Sequence, residues 1–296
     1  MEKYNKKCRI CKSQDWFPCY TGAIRTGKFG TYSPCEHTVW QCRKCGAAFL
    51  DRVALNYETA QYRCMVDGGA SSENFYALHD DEQIDKINVL GTGQLRGKVI
   101  ADVGCGAGSF LDLIKGYAAT TIAIEPAADF HKALKRKNHK VYGYAKDALK
   151  NWRGKVDIIV SFAVLEHIEF PLEFLKEIRL LLKPRGMLLL STPNHQDWML
   201  EVLAQDYGKF FYRQVHAWYF DEKSLTTIGK LAGFKRVEVN YKQRFDFSNA
   251  LLWARDRKPT GLGKIDLLRE LDGQYEKILE TQGRSDFIYG RFFMEK

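Results

Sequence analysis

The sequence predicts a doubly wound α/β domain preceded by a small metal-binding segment, and three observations predict it. Val99-Ile-Ala-Asp-Val-Gly-Cys-Gly-Ala-Gly-Ser-Phe110 passes from a β-branched run through a glycine-rich turn into a helical pattern. Downstream, short apolar runs alternate with amphipathic stretches, as the βαβ units of a mainly parallel sheet do. Upstream, two C-x-x-C pairs stand close to the start of the chain.

At 296 residues the chain accommodates one large α/β domain and a small appendage. No apolar run approaches the roughly 20 residues of a membrane helix, which predicts a soluble protein with no membrane partner. Met1-Glu-Lys-Tyr-Asn-Lys-Lys-Cys8 carries charge but no apolar signal core, so a cytoplasmic location is expected. The net charge of +9 suits nucleic acid or an anionic small molecule. The densest basic run, Lys132 to Lys140, is interrupted by Ala133 and Leu134 and reads as a solvated helix face.

The expected organisation is a zinc-binding segment over 1–50, a bridging helical segment over 51–93 and the α/β domain over 94–296. In the first segment, Cys8-Arg-Ile-Cys11 and Cys42-Arg-Lys-Cys45 are two thiol knuckles, the second followed by Gly46. Zinc takes about four soft ligands in a tetrahedron, and each knuckle supplies two from one tight turn. Cys8, Cys11, Cys42 and Cys45 are therefore the expected ligands, with Cys19, Cys35 and His37 as alternatives. A closed four-thiolate site leaves no open position, so the metal holds the fold and does not catalyse. Thr26-Gly-Lys-Phe-Gly30 contains a Gly-Lys pair but lacks the rest of a phosphate loop. In the bridge, Tyr57, Tyr62, Phe75 and Tyr76 are scattered aromatics, and Ile84, Ile87 and Leu90 mark a helix over Gln83 to Leu90.

In the α/β domain the strands are expected at Val99–Val103, Thr120–Glu125, Lys140–Tyr144, Val156–Ser161 and Met187–Ser191. Two more follow at Phe234–Tyr241 and Asp286–Met294. Helices are expected from Phe110, over Phe130 to Lys137, and from Pro171 with Leu172, Leu175, Ile178 and Leu182 inward. Asp221 caps a further helix that runs to Leu231 and closes at Gly233. Between the last two strands a helical insertion, at about 243–284, repeats Leu267, Leu268, Leu271, Tyr275, Ile278 and Leu279 at helical spacing. It reads as a packed surface helix, with a lid or a homodimer face as the sharper alternative.

Glu125 lies about twenty residues past the first glycines, where an acid hydrogen-bonds the ribose of nicotinamide and adenosyl cofactors alike. A nicotinamide site wants G-x-G-x-x-G. Here the spacing is G-x-G-x-G, preceded by Asp102, and a carboxylate beside the ligand suits a cationic cofactor better than a pyrophosphate.

Asp102-Val-Gly-Cys-Gly-Ala-Gly108, Ile124-Glu-Pro126, Val164-Leu-Glu-His-Ile168 and Leu182-Lys-Pro-Arg-Gly186 resemble the motifs of class I S-adenosylmethionine-dependent methyltransferases, in order and spacing. The resemblance covers roughly Gly93 to Lys296. It implies a Rossmann-like sheet of seven strands, the last antiparallel, and S-adenosyl-L-methionine as cofactor. By the same resemblance Asp102, Gly104, Cys105 and Gly106 wall the methionine moiety, and Glu125 with Pro126 the ribose. Asp147 and Ala148 would lie near the adenine, and Phe162 would line the site. The whole chain is also similar to methyltransferases with an amino-terminal zinc-binding domain, several of which act on nucleotide sugars in bacterial polysaccharide or antibiotic pathways. Val215-His-Ala-Trp-Tyr-Phe220, followed by Ser224-Leu225, resembles their acceptor-side segment.

A sulfonium methyl is already a strong electrophile, so the enzyme mainly aligns donor and acceptor and removes a proton from the acceptor. Histidine is the natural base near neutral pH. His167 and His216 fall where the acceptor should lie, and each also has a plain structural reading as a loop-holding or packed ring. The aromatic-rich stretch from Trp198 to Phe220 suggests a cover over the acceptor pocket, and Arg213 and Lys209 could meet phosphate or carboxylate. The expected activity is methyl transfer to a small polar acceptor, a nucleotide sugar or related metabolite. The rivals are an RNA methyltransferase that uses the zinc module to bind nucleic acid, and a non-catalytic cofactor-binding protein that docks a partner. Ser161-Phe-Ala-Val164, in place of an N/D-P-P-Y/F-like tetrapeptide, speaks against amino-group methylation of bases.

Overall fold

The central strands Val99–Val103 and Val156–Phe162 are apolar at most positions, which is how strands read when helices cover both faces of a sheet. The computed structural model, which describes residues 6–27, 30–52, 71–259 and 263–295, has that arrangement. Tyr57, Tyr62, Lys28 and Phe29 lie outside the described residues.

A seven-stranded sheet contains β4 (Val99–Val103), β5 (Thr120–Ile124), β6 (Lys140–Tyr142), β7 (Val156–Phe162), β8 (Leu182–Pro193), β10 (Arg236–Lys242) and β11 (Phe287–Phe293). The spatial order is β10-β11-β8-β7-β4-β5-β6. β4 to β8 pair in parallel, and β11 runs antiparallel to both β8 and β10. Alternate residues of each strand face opposite cores, as the two-residue period of a strand requires. Ala101, Ile122, Ile159 and Leu190 pack on one side against Leu172, Leu175, Leu225 and Ile228. Ile100, Ala123, Val160 and Leu189 pack on the other against Leu90, Phe110, Leu111 and Leu134.

The helices in chain order are α1 (Ser72–Leu90), α2 (Ser109–Ile114), α3 (His131–Arg136), α4 (Ala145–Trp152), α5 (Pro171–Arg179), α6 (Trp198–Val202), α7 (Ala204–Phe211), α8 (Glu222–Leu231), α9 (Phe247–Asp256) and α10 (Arg269–Gln282). Two expectations are corrected. α1 begins far upstream of Gln83, capped by the Ser71 side chain; of its residues only Gln83 and Leu90 are buried, so its apolar pattern is faint. Leu182, expected on the helix from Pro171, instead opens β8, where it pairs with Val156. The Asp221 cap is present, accepting from the Ser224 amide.

The amino-terminal strands β1 (Trp16–Gly22), β2 (His37–Cys42) and β3 (Ala48–Leu50) form a second sheet, and its fourth strand comes from far down the chain. This is β9 (Trp218–Tyr219), which pairs Phe49 with Trp218 and Ala48 with Tyr219. Further backbone bonds, from Leu50 to Ala217 and from Arg25 to Tyr212, fasten the same segment to the module.

Among the described residues, no helix is long and apolar enough to cross a membrane. Between β10 and β11 the chain forms α9 and α10, which pack on α6 and α7 through Trp198 to Tyr275 and Tyr207 to Trp253.

Candidate active site

The turn after β4 is built from backbone that only glycine adopts without strain. Gly104, Gly106 and Gly108 have φ of +82°, +55° and +93°. A Cβ on Gly104 would stand 2.4 Å from Val164 Cγ2, and one on Gly106 would stand 2.3 Å from the Phe75 ring. Both contacts are closer than side chains tolerate, so the turn is held against the loop after β7 and against α1. Tyr76 on α1 adds a hydrogen bond from its hydroxyl to the Ala107 carbonyl.

Glu125, at the end of β5, is 2% exposed and clasps that turn. Its Oε2 accepts from the Gly106 amide at 2.8 Å, and its Oε1 accepts from the Ala127 amide at 2.9 Å. Pro126 follows in the half-buried link. Asp102 lies within β4, and burial pushes its carboxyl up to about 7, against the pull of Lys86. A buried carboxylate raised this far favours a cationic neighbour, so the turn fits a cofactor that carries positive charge. Burial, followed by the nearby Asp102 and Glu125, also pushes the Cys105 thiol well above its ordinary value. Cys105 is therefore a neutral turn residue and not a nucleophile. Phe162 ends β7 with its ring edge-on to Phe110 and to Tyr289. Asp147 uses its carboxylate to cap α4 at the Tyr144 amide, and Ala148 is packed in the core.

Val164 leads from the glycine turn to a short turn at Leu165–His167, and that turn meets His216 from the segment before β9. The His167 and His216 ring centroids are 4.7 Å apart and nearly perpendicular. His167 Nδ1 donates to the Val215 carbonyl at 3.0 Å. His216 is 3% exposed, its Nδ1 is buried with no hydrogen-bond partner among the described residues, and burial holds its pKa well below 6.5. Glu166, 1% exposed, is pushed by burial up to about 7, and its Oε2 has no hydrogen-bond partner among the described residues either. Ligand atoms of these three side chains lie within 4.8 Å of one another. Both histidines are expected from the sequence, whereas the buried glutamate that joins them is not. Glu166 stands next to His167 in the chain, and that adjacency was the available signal.

Several rings of the aromatic stretch pack on the amino-terminal module, and Tyr212 also lines a cavity. Tyr207, Phe211, Tyr212 and Tyr219 are buried against Tyr20, Ile24, Val39 and Leu50 of the amino-terminal module. Lys209 stacks on Tyr32. A cavity of about 280 Å³ opens between the module and the chain after β8, lined by Cys19, His195, Asp197, Tyr212 and Arg284 among others. Burial drives Cys19 up to about 12 and His195 down to about 4, so thiol and imidazole are both neutral there.

The four knuckle cysteines converge. Cys8 and Cys45 sulfurs are 3.8 Å apart, Cys11 and Cys42 sulfurs 3.5 Å, and all four lie within 4.8 Å of one another. Corners of a tetrahedron with metal–sulfur bonds of about 2.3 Å are roughly 3.8 Å apart, so the donor set fits zinc. Each knuckle ends on a left-handed residue, Lys12 with φ 63° and Gly46 with φ 85°. Hydrogen bonding from Cys45, then Cys8, draws the Cys42 thiol down, while Cys42 in turn pushes Cys45 up. Four clustered thiols do not ionise together without a cation. Cys19, Cys35 and His37 stand apart from the cluster, with Cys35 beside His37 and Cys19 beside His195. The module reaches the histidine loops directly, since Arg9 binds the Glu169 carboxylate at 2.8 Å and Trp218 donates to the Glu169 carbonyl.

A family model described as a methyltransferase domain matches residues 76–239, more than half of the chain. The chain is similar to the ubiquinone biosynthesis O-methyltransferase of Bradyrhizobium diazoefficiens, at 28% identity over 139 residues, 44% of this chain and 55% of that protein. A second protein of that name, from Glaesserella parasuis, is 32% identical over 129 residues, 39% of this chain and 55% of the relative. The chain thus spans just over half the length of these curated relatives. A solved SAM-dependent methyltransferase from Archaeoglobus fulgidus, 19% identical, matches with a TM-score of 0.51 over 79% of this chain and 98% of its own, and shares the fold.

Proposed function

The chain belongs to the methyltransferase-domain family, and from that premise we propose that it methylates a small polar acceptor with S-adenosylmethionine as donor. The observation that carries this reading is the glycine turn clasped by Glu125 beside the buried Asp102 and joined through Val164 to the histidine pair. Asp102, Gly104, Cys105, Gly106, Glu125 and Phe162 would hold the cofactor. Bound there, the cofactor supplies a methyl group activated by its sulfonium.

The chain's own residues do the rest. Asp102 balances positive charge, and the glycine turn and Phe162 set the angle of approach and exclude water. His216, kept neutral by burial, takes the proton from the acceptor group, with His167 held by the Val215 carbonyl beside it. Glu166, within 4.8 Å of that ring, stabilises the imidazolium so formed when its carboxylate is ionised. The Cys8, Cys11, Cys42 and Cys45 thiolates would bind zinc, which supplies a cross-link that holds the module and not a reaction step.

The acceptor we favour is a nucleotide sugar or a related metabolite with a hydroxyl or acidic carbon. The names of the curated relatives favour a second acceptor class, a hydroxylated ubiquinone precursor. Labelled methyl transfer, screened over nucleotide sugars, hydroxylated quinone precursors and RNA, tests the reading. Transfer to either small-molecule class identifies the acceptor, transfer to RNA overturns the small-acceptor reading, and failure to bind S-adenosylmethionine in calorimetry removes the activity altogether.

A further inference from the structure

Arg244, in the segment that follows β10, is built into the carboxyl edge of the sheet and takes no part in the chemistry above. Its amide donates to Asp286 Oδ1 at 2.8 Å and its Nε donates to Asp286 Oδ2 at 2.7 Å. The guanidinium also lies 3.9 Å over the centroid of the Phe287 ring. One edge and one face of the guanidinium are thus fixed, and Asp286 itself is 6% exposed. The Nη1 and Nη2 edge has no hydrogen-bond partner among the described residues, although the side chain is 38% exposed and so reachable by ligand.

The location is as informative as the clamp. Asp286 immediately precedes β11, and Phe287, which opens it, pairs with Pro193 at the end of β8, the edge where β7 also ends. Rings continue along that edge from Phe287 to Tyr289, at 6.0 Å, and from Tyr289 to Phe162, at 6.5 Å. At the far end of this wall Lys86 of α1 lies 5.3 Å from the Phe162 centroid and pulls on Asp102. At the near end the Arg244 charge acts on Glu166 and on Asp197. The wall therefore runs from the proposed donor site to a pre-oriented cation fork. Such a fork matches the paired oxygens of a phosphate or carboxylate.

We propose that Arg244 recognises an oxyanion on the acceptor, so that the substrate of the proposed methyl transfer is a phosphate or carboxylate anion laid along Phe287, Tyr289 and Phe162. This assignment rests on the methyltransferase reading, and its test separates the two. Calorimetry on the full chain with S-adenosylmethionine would titrate uridine diphosphate in one arm and benzoate in the other. The expected result is saturable binding in one arm, weakened about 10- to 100-fold in Arg244→Gln, with cofactor affinity unchanged. Preference for the diphosphate identifies phosphate as the group read, and preference for benzoate identifies carboxylate. Arg244→Lys keeps the charge beside Asp286 and guards against a folding defect; it should bind the preferred anion more weakly than the parent and more tightly than Arg244→Gln. Equal anion binding by parent and both variants, or no anion binding by the parent while the cofactor binds normally, overturns the assignment and leaves the methyltransferase reading intact. Loss of cofactor binding by the parent would instead remove that reading, and anion binding would then be judged on its own.

Discussion

The turn at Gly104–Gly108 and the histidine pair at His167 and His216 are built in opposite ways. The turn is made of backbone, and its key bonds join residues within one βαβ unit, from Gly106 to Glu125. The pair is made of side chains from two loops, and one of those loops is held by a sheet whose other strands lie at the amino terminus. The first site is local and carries its own constraints. The second exists only when two parts of the chain have folded against each other. Substitutions should therefore separate the two: damage at the turn should be read in cofactor affinity, and damage at the pair or in the amino-terminal module should be read in turnover.

The largest separation should come from His216→Ala. Removal of a proton acceptor costs about 10²- to 10⁴-fold in kcat, with cofactor affinity little changed. Single-turnover rates and calorimetry on the same preparation check both halves, and normal turnover would show that His216 is only a packed ring. Glu125→Gln should do the converse. It sets an amide N–H against the Gly106 or Ala127 amide, so cofactor affinity should fall about 10- to 100-fold. If affinity holds, the clasp supports the turn without serving the ligand.

Cys42→Ser tests whether the amino-terminal module belongs to the acceptor side. Loss of one ligand should lower the melting temperature by about 5–10 °C and release zinc, measured by metal analysis. Turnover should drop more than cofactor affinity, because Arg9, Trp218 and β9 brace the histidine loops. Equal losses in both would erase the distinction between the regions.

The smallest effect is the pH dependence of cofactor affinity. Burial raises Asp102 to about 7 in the free protein, with Lys86 opposing and Glu125 reinforcing the shift. A cationic ligand favours the ionised form, so its binding expels a proton below that pH. Affinity should be level above about pH 7 and fall by at most about tenfold per unit below it, and Asp102→Asn should flatten the profile. A slope that survives in Asp102→Asn would assign the proton to another group.

The local features were legible because their causes are local. Strand alternation, the Pro171 start of α5, the Asp221 cap and the two cysteine knuckles each depend on residues a few positions apart. What escaped the sequence depends on partners that approach only in space. Glu166 meets His216, Arg244 meets Asp286, and the aromatic stretch meets the module it packs against only in the folded chain. A high density of aromatic residues reads the same whether it faces a ligand or a second sheet. The periodicity of α1 is faint for a related reason: few of its residues are buried, and it carries both acids and exposed Leu78 and Ile84.

By itself the sequence determined the order of the seven strands of the main sheet, the glycine backbone of the turn after β4, the acid at the end of β5 and the four thiols that converge. Each follows from backbone stereochemistry or from short-range periodicity, which a linear chain records directly. Tertiary structure alone decided that β9 joins the amino-terminal sheet, that Glu166, His167 and His216 meet, and that Arg244 is clamped with one edge outward. Burial is the physical reason. It sets the charge state of Asp102, Glu166 and His216, and the depth of a side chain is a property of the folded chain and not of its neighbours in sequence.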